Sequence, residues 1–310
     1  RNMAKIYYRE VNYLKNNADR KKALIDFCKG FFITLVIILP VYVGVYYWQL
    51  EKSADKLSEI SALPAKAVPV ATKSYNLLWM VSDSATESLV SCTIVRFDVN
   101  LRRAVISELP CNTVLLSGKT PMSVYELHAQ RKASGVKAAV EETLSVPISG
   151  YLLLKTDVLS KIIDGFGGFS YTLDKKLEVK NESGHVVFKK DSGTSLFCGN
   201  DVAHLLVYGL YEGAEKTQIR EKLWQSALLQ FCDDDFGKKI RQLYSENVNQ
   251  LSSNIGPTGL LELSRIAETV CLSLPATVDI VRMGGVYADN RFELSENSDE
   301  RLWDCFSKLN

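Results

Sequence analysis

From residue 74 onward, short apolar runs alternate with longer stretches of helical period. Asn76–Val81 (N-L-L-W-M-V) is a continuous apolar run stopped by Ser82, Asp83 and Ser84, the pattern of a buried strand. Thr93–Asp98 and Arg103–Leu109 read as two more strands, with Asp98, Val99, Asn100 and Leu101 as their hairpin connection and Pro110 as the stop. Helical spacing follows in Thr120–Gln130 and Ser134–Leu144. Gly150–Lys155 is the next buried strand. Thr156 and Asp157 are placed to cap a helix over Val158–Asp164, which Gly165, Phe166, Gly167 and Gly168 end. Phe169–Leu173 is a strand again. Residues 174–195 are polar and turn-rich, with one apolar patch at Val186, Val187 and Phe188. Asn200 is expected to cap a helix running through Leu206. Helical patterns return at Thr217–Phe231, Phe236–Leu251 and Thr258–Val270; Thr277–Met283 reads as a late strand and Arg301–Leu309 as a short last helix. Alternating strands and helices predict an α/β domain, a mixed central sheet covered by helices, over residues 74–310.

One apolar stretch does not fit that domain. Gly30–Trp48 (G-F-F-I-T-L-V-I-I-L-P-V-Y-V-G-V-Y-Y-W) carries no charge, and a helix needs about 20 apolar residues to cross a bilayer. Pro40 and Gly44 would disturb a soluble helix but are tolerated in a membrane, and Tyr46, Tyr47 and Trp48 favour the headgroup region. The net charge of the whole chain is +1, yet residues 1–29 hold eight basic and three acidic side chains. That flank puts residues 1–29 in the cytoplasm, 30–48 in the membrane and the rest outside, with 49–73 as a proline-containing stem. A cleaved signal peptide is the second reading; it fits less well because the run is long and no small-residue cleavage site follows closely. The near-neutral balance argues against nucleic acid as a partner.

Chemistry is sparse. The chain has no G-x-G-x-x-G, P-loop, G-x-S-x-G or H-E-x-x-H. Its seven cysteines (28, 92, 111, 198, 232, 271 and 305) include no C-x-x-C pair, which argues against zinc. Six lie on the outer side, where disulfides persist, though buried thiols also serve as small hydrophobes. His128 and His204 fall in helical patterns and read as structural. Asp233, Asp234 and Asp235 read as a solvated helix start. Asp83, just past the carboxyl end of a buried strand, is the one carboxylate placed where open α/β sheets put their sites.

Several strings resemble the LytR-CpsA-Psr family of Gram-positive membrane proteins, over about half the chain. Val140–Tyr151 (V-E-E-T-L-S-V-P-I-S-G-Y) and Lys161–Phe169 (K-I-I-D-G-F-G-G-F) are similar to V-E-x-L-L-G-I-P-I-D-Y-Y and K-L-V-D-A-L-G-G-V. Leu78–Asp83 resembles the family's first strand with its Asp, Cys92–Val95 with Asn100 resembles D-T-(I/M)-M-L-V-S-I-N, and Leu109–Thr113 resembles I-P-R-D-T. Gly199–Ala203 is similar to G-E-Q-A-L and Gln218–Lys222 to R-I-E-R-Q. The resemblance implies an extracytoplasmic domain that moves a glycan from a polyprenyl pyrophosphate carrier onto peptidoglycan, with arginines on the pyrophosphate and carboxylates holding Mg²⁺.

The departures fall on those positions. Cys92 stands for a carboxylate, Cys111 and Asn112 for an arginine and an aspartate, and Gln218 and Glu221 for the R-x-x-R pair. Asp83 and Thr113 are kept, and Arg220 is offset by two positions along its helix. The expected site is therefore a degenerate pyrophosphate site of Asp83, Cys92, Cys111, Asn112, Thr113, Gln218 and Arg220, with Asp83 the one metal candidate and Mg²⁺ needed only if the chain is active. Cys92 and Cys111, on neighbouring strand ends in the resemblance, are expected to close that site with a disulfide. The first reading is an envelope protein that binds a polyprenyl (pyro)phosphate lipid or cell-wall glycan, or serves as a scaffold, without transferase activity. The alternatives are an active glycopolymer transferase with phosphate ligands relocated to Asp83, Arg96 and Arg220, and an envelope signalling or assembly protein.

Overall fold

A computed structural model describes residues 73–118, 120–180, 183–209, 213–233, 235–271, 277–295, 302 and 304–307. The stretch 30–48 and the stem lie outside these residues. Among the described residues no helix is long and apolar enough to cross a membrane.

The centre is a six-stranded mixed sheet. In chain order its strands are β1 (Tyr75–Ser82), β2 (Leu89–Asp98), β3 (Arg103–Glu108), β6 (Gly150–Lys155), β11 (Ser252–Ser253) and β12 (Thr277–Ile280), and across the sheet they run β11-β6-β1-β2-β3-β12. β1, β2 and β3 are antiparallel neighbours, whereas β6 joins β1 and β12 joins β3 in parallel. Both strand–helix crossovers therefore run over the sheet faces. The turn between β2 and β3 forms because the Asp98 carboxylate accepts the backbone N–H of Asn100 and Leu101, both at 3.1 Å, and Arg102 adopts φ 51°.

Period-2 alternation sorts the strand side chains onto two cores. Leu78 and Met80 of β1, Cys92 and Ile94 of β2 and Val105 of β3 face α1 (Val124–Leu144), together with Leu302 and Phe306 from the C-terminal end. Leu77 and Val81, Val95 and Phe97, Ala104 and Ile106 face the other way. There they meet α2 (Thr156–Gly165), α4 (Ala214–Phe231) and α6 (Pro257–Cys271), with α5 (Phe236–Asn247) alongside. Both faces of the sheet are covered, so its strands read as continuous apolar runs.

Several boundaries differ from the sequence reading. Residues 120–123 are strand β5 (Thr120–Ser123), paired with β4 (Val114–Ser117), in place of the expected helical start; α1 follows, and the expected break between its two halves falls at Lys132, which takes φ 58°. Ser123 caps α1 in a reciprocal box with Glu126. Thr156 does not cap α2: its hydroxyl accepts the backbone N–H of Ser84 at 3.0 Å, and Lys155 occupies the cap position. Asn200 does not cap α3 (Gly199–His204) either. Cys198 is the cap, with Asp201 reaching back to its backbone N–H at 3.2 Å. The turn-rich segment holds an antiparallel pair, β8 (Leu177–Lys180) and β9 (Val186–Lys190), then β10 (Gly193–Phe197), which pairs with β7 (Phe169–Leu173). A hairpin of β13 (Gly285–Ala288) and β14 (Arg291–Leu294), which the sequence reading did not assign, follows β12.

Candidate functional site

The helix-covered face at Leu77, Trp79, Thr93, Val95, Phe97 and Leu152 is roofed without being filled. A cavity of about 150 Å³ lies between these strand residues and α2, α4, α5 and α6. Leu159 and Ile163 of α2, Ala227 and Phe231 of α4, Ile240 and Leu243 of α5 and Leu263 of α6 contribute to its wall. Stacked rings hold part of that wall: Phe166 lies 4.4 Å from Phe231 and 5.8 Å from Phe236, centroid to centroid. An apolar space of this size suits a small hydrocarbon group. Besides the indoles of Trp79 and Trp224, its polar side chains are Thr93 and Tyr244, and the Tyr244 hydroxyl donates to the Ile255 carbonyl at 2.8 Å.

Thr93 connects the cavity to a buried charged cluster. Its hydroxyl donates to the carboxylate of Glu108, directly across the β2–β3 ladder. Glu108 also accepts the Ser91 hydroxyl at 3.2 Å and pairs with the Arg220 guanidinium of α4 at 2.8 Å. Both charged side chains are 0% exposed. The Trp224 indole N–H donates to Ser91 at 3.3 Å, and Trp79 meets Trp224 edge-on at 6.0 Å. Next along α4, buried Glu221 accepts from Arg282 at 2.9 Å. Burial pushes the Glu221 carboxyl above the usual carboxylate range, against the pull of Arg282 and Arg220. Arg220 with Glu108 and Arg282 with Glu221 thus form two ion pairs anchored on neighbouring positions of α4.

Most of the residues expected to form the degenerate pyrophosphate site are engaged by partners of their own. Asp83 sits at the end of β1, where its carboxylate accepts the Thr86 hydroxyl at 2.7 Å and the backbone N–H of Ala85 and Thr86 at 3.2 and 3.0 Å. Burial would raise its carboxyl, but these hydrogen bonds outweigh it and hold it below the ordinary value. Cys92 is a buried thiol on the opposite, α1-facing core. Burial first, then Glu108, pushes it well above the ordinary thiol range, and Arg220 offsets only part of that. The Cys92–Cys111 disulfide is not formed. Leu109 donates its backbone N–H to the Cys92 carbonyl at 2.7 Å and Tyr125 donates to the Cys111 carbonyl at 2.8 Å, so both cysteines are built into backbone turns of the α1 core. Asn112 donates to the Asn290 carbonyl at 2.8 Å, and Thr113 to the Pro110 carbonyl at 2.6 Å. Gln218 is exposed on α4. Arg96 pairs with Asp98 at 3.2 Å and donates to Asn76 at 3.2 Å. Asn76 stands opposite Arg96, seven residues before Asp83, so at about 3.3 Å per residue Arg96 is about 23 Å along the strand from Asp83. These residues do not fit a Mg²⁺ site: both oxygens of Asp83 are engaged by its own loop, and among the described residues no three acidic, histidine or cysteine side chains come together around an ion.

Glu108 was the residue missed by sequence reading. A carboxylate ending a strand looks like a solvent-facing terminus, and only its spacing to Thr93 across the hairpin, two residues after Ser91, hints at a buried acceptor.

Neither a family model nor a curated protein matches the sequence. Solved structures do match the fold. A protein described as a putative transcription regulator from Eubacterium siraeum aligns at TM-score 0.66 and 14% identity, over 77% of this chain and 93% of its own. TagV of B. subtilis aligns at TM-score 0.59 and 15% identity, over 76% of this chain and 96% of its own. TagT of B. subtilis bound to LI-WTA aligns at TM-score 0.58 and 14% identity, over 76% and 92%. The central mixed sheet and its helices therefore have the LytR-CpsA-Psr fold of TagT, TagU and TagV.

Proposed function

We propose that this chain is a membrane-anchored cell-envelope protein whose domain binds a polyprenyl-linked glycan, or scaffolds its handling, without transferring it. The observation that carries the reading is the pairing of an apolar cavity with phosphate-handling positions that are substituted or already engaged by other partners. The cavity belongs to a fold that, in TagT, is bound to LI-WTA. Arg220, on the helix where the resemblance places the R-x-x-R pair, is committed to Glu108. The uncharged stretch 30–48 with its basic flank supports a membrane anchor, and the disulfide between Cys232 and Cys271 suits an oxidising compartment outside the cytoplasm.

An active transferase using Asp83, Arg96 and Arg220 would need those three side chains to meet. The strand distance between Asp83 and Arg96 and the buried partner of Arg220 speak against it. The test uses the purified full chain in lipid nanodiscs, a polyprenyl pyrophosphate-linked glycan and Mg²⁺. The expected result is a rise in melting temperature with ligand and no turnover. Glycan transfer or pyrophosphate hydrolysis overturns the reading. No thermal response and no turnover favours a signalling or assembly protein that meets its partner through residues 1–29.

A further inference from the structure

An open cleft at the outer edge of the sheet shares no lining residue with the apolar cavity. It measures about 570 Å³ and is lined by Ile280, Val281 and Arg282, at the end of the edge strand β12, and by Asp304 and Cys305 of the C-terminal segment. Arg282 is held from below. Its Nε–H donates to the Glu221 carboxylate of α4 at 2.9 Å. The Glu221 side chain is 1% exposed and that of Arg282 57%. Thr217, one turn earlier on α4, fastens the chain beyond Arg282: its hydroxyl meets the Tyr287 hydroxyl of β13 at 2.8 Å. A buried carboxylate is costly, and here it fixes the Nε edge of one guanidinium. Among the described residues both Nη groups of Arg282 are left without a partner. They form a planar fork that takes an oxyanion through two parallel hydrogen bonds. Asp304 lines the same cleft, is exposed, and makes no ion pair among the described residues. The two opposite charges therefore share one cleft without satisfying each other. The remaining lining side chains, Ile280, Val281 and Cys305, carry no charge.

We propose that this cleft is a binding site for a small zwitterion, with an oxyanion on the Arg282 fork, a primary ammonium on Asp304 and a short carbon chain between them. A simple anion gains the fork but meets the Asp304 carboxylate. A simple cation gains Asp304 but meets the guanidinium. A molecule with both charges turns each repulsion into an attraction, which is a source of selectivity as well as of affinity. Glu221 is a positioning residue: it touches no ligand and acts by holding Arg282. The site is independent of the apolar cavity and of what that cavity binds. A free solute and the head group of a zwitterionic lipid share this chemistry, and the test separates them.

Cys305 is a half-buried free thiol on the wall of the cleft, so its alkylation reports occupancy. The full chain in a non-ionic detergent, which offers neither charge, is treated with iodoacetamide, and modification of Cys305 is followed by peptide mass spectrometry. Phosphoethanolamine and β-alanine are the zwitterions; inorganic phosphate and ethanolamine carry one charge type each. The zwitterions are expected to slow alkylation of Cys305 at about tenfold lower concentration than either control, and to leave the exposed Cys198 unaffected. Asp304→Asn is expected to weaken the zwitterions about tenfold and to abolish their advantage over phosphate. Arg282→Lys keeps a charge for Glu221 but loses the fork, and is also expected to weaken them about tenfold. Equal protection by phosphate alone in wild type overturns the zwitterion site, and so does the absence of protection by all four compounds. Should Arg282→Lys not fold, the exposed Asp304→Asn change carries the test by itself. If Cys305 proves unreactive in the free chain, calorimetric titration of the same four compounds yields the same ranking. Nanodiscs of phosphatidylethanolamine set against phosphatidylglycerol then separate the sources: protection by the first alone assigns the site to a lipid head, and protection only by the soluble zwitterions assigns it to a free solute.

Discussion

Arg220 and Glu108 are the most expensive residues in this core. Each ion alone carries a desolvation penalty of several kcal/mol, and their mutual attraction with the hydrogen bonds from Ser91 and Thr93 offsets it. Arg220→Met is therefore expected to cost about 3–5 kcal/mol, because Glu108 is left charged and buried. Arg220→Met with Glu108→Leu is expected to recover most of that loss. A double-mutant cycle from urea unfolding measures the difference, and additive losses would show that the pair is not coupled. Asp83 is a different case, because its partners are a local loop. Its carboxyl is held below the ordinary value. A group depressed in the folded state adds stability above its unfolded value, about pH 4, and that stability is lost as pH falls through the lower folded value. Asp83→Asn is expected to cost about 1 kcal/mol at pH 7. Between pH 4 and pH 3 the variant should lose less stability than wild type, and parallel pH profiles for the two would remove this role from Asp83.

At the scale of elements, the glycines that carried the family resemblance turn out to be packing constraints. Gly168 ends the turn after α2 at φ +76°, and a Cβ there would lie 2.7 Å from the Phe197 carbonyl oxygen. Gly168→Ala is expected to destabilise by about 1–3 kcal/mol, read as a lower urea midpoint, while Gly184→Ala, which also has positive φ but open space around it, should cost less. Gly199 opens α3 against α2, where a Cβ would fall 2.1 Å from the Ser160 carbonyl oxygen. The disulfide of Cys232 and Cys271 ties the end of α4 to the end of α6 and closes a loop across 39 positions. Reduction, or Cys232→Ser with Cys271→Ser, is expected to lower stability by about 3–4 kcal/mol on loop-closure grounds. These elements also mark what was legible in advance. β1, β3, β6, α4 and α6 were readable because period and propensity agree there. The break at Lys132 was legible as the gap between two helical patterns, but the caps at Lys155 and Cys198 were not: Thr156 is taken by Ser84 across the fold, and neither cap residue has an ordinary capping side chain. The candidate site was legible only as a list of substitutions. Which residues meet Arg220 depends on β2–β3 register and on the side of α4 that faces the sheet.

Taken as one molecule, the domain carries a void in its larger core. An unfilled apolar space of about 150 Å³ forgoes the packing contacts that larger side chains in its wall would make. A core free to drift would be expected to fill such a space with larger side chains, since volume can be added one residue at a time. Here α4 places Ala227 at the wall, where a leucine would reach into the unfilled space. Stability and occupancy should then oppose each other. Ala227→Leu is expected to raise stability by about 1 kcal/mol, from the burial of added methylenes in existing space, and to weaken farnesol binding about tenfold or more. Thermal unfolding with and without farnesol measures both quantities on one sample. A variant that is more stable and no longer responds to ligand would mean that the space is kept open for an occupant. A variant that is less stable would mean that the wall is rigid and the void a packing defect, and the selection argument would then lapse even if a lipid still binds.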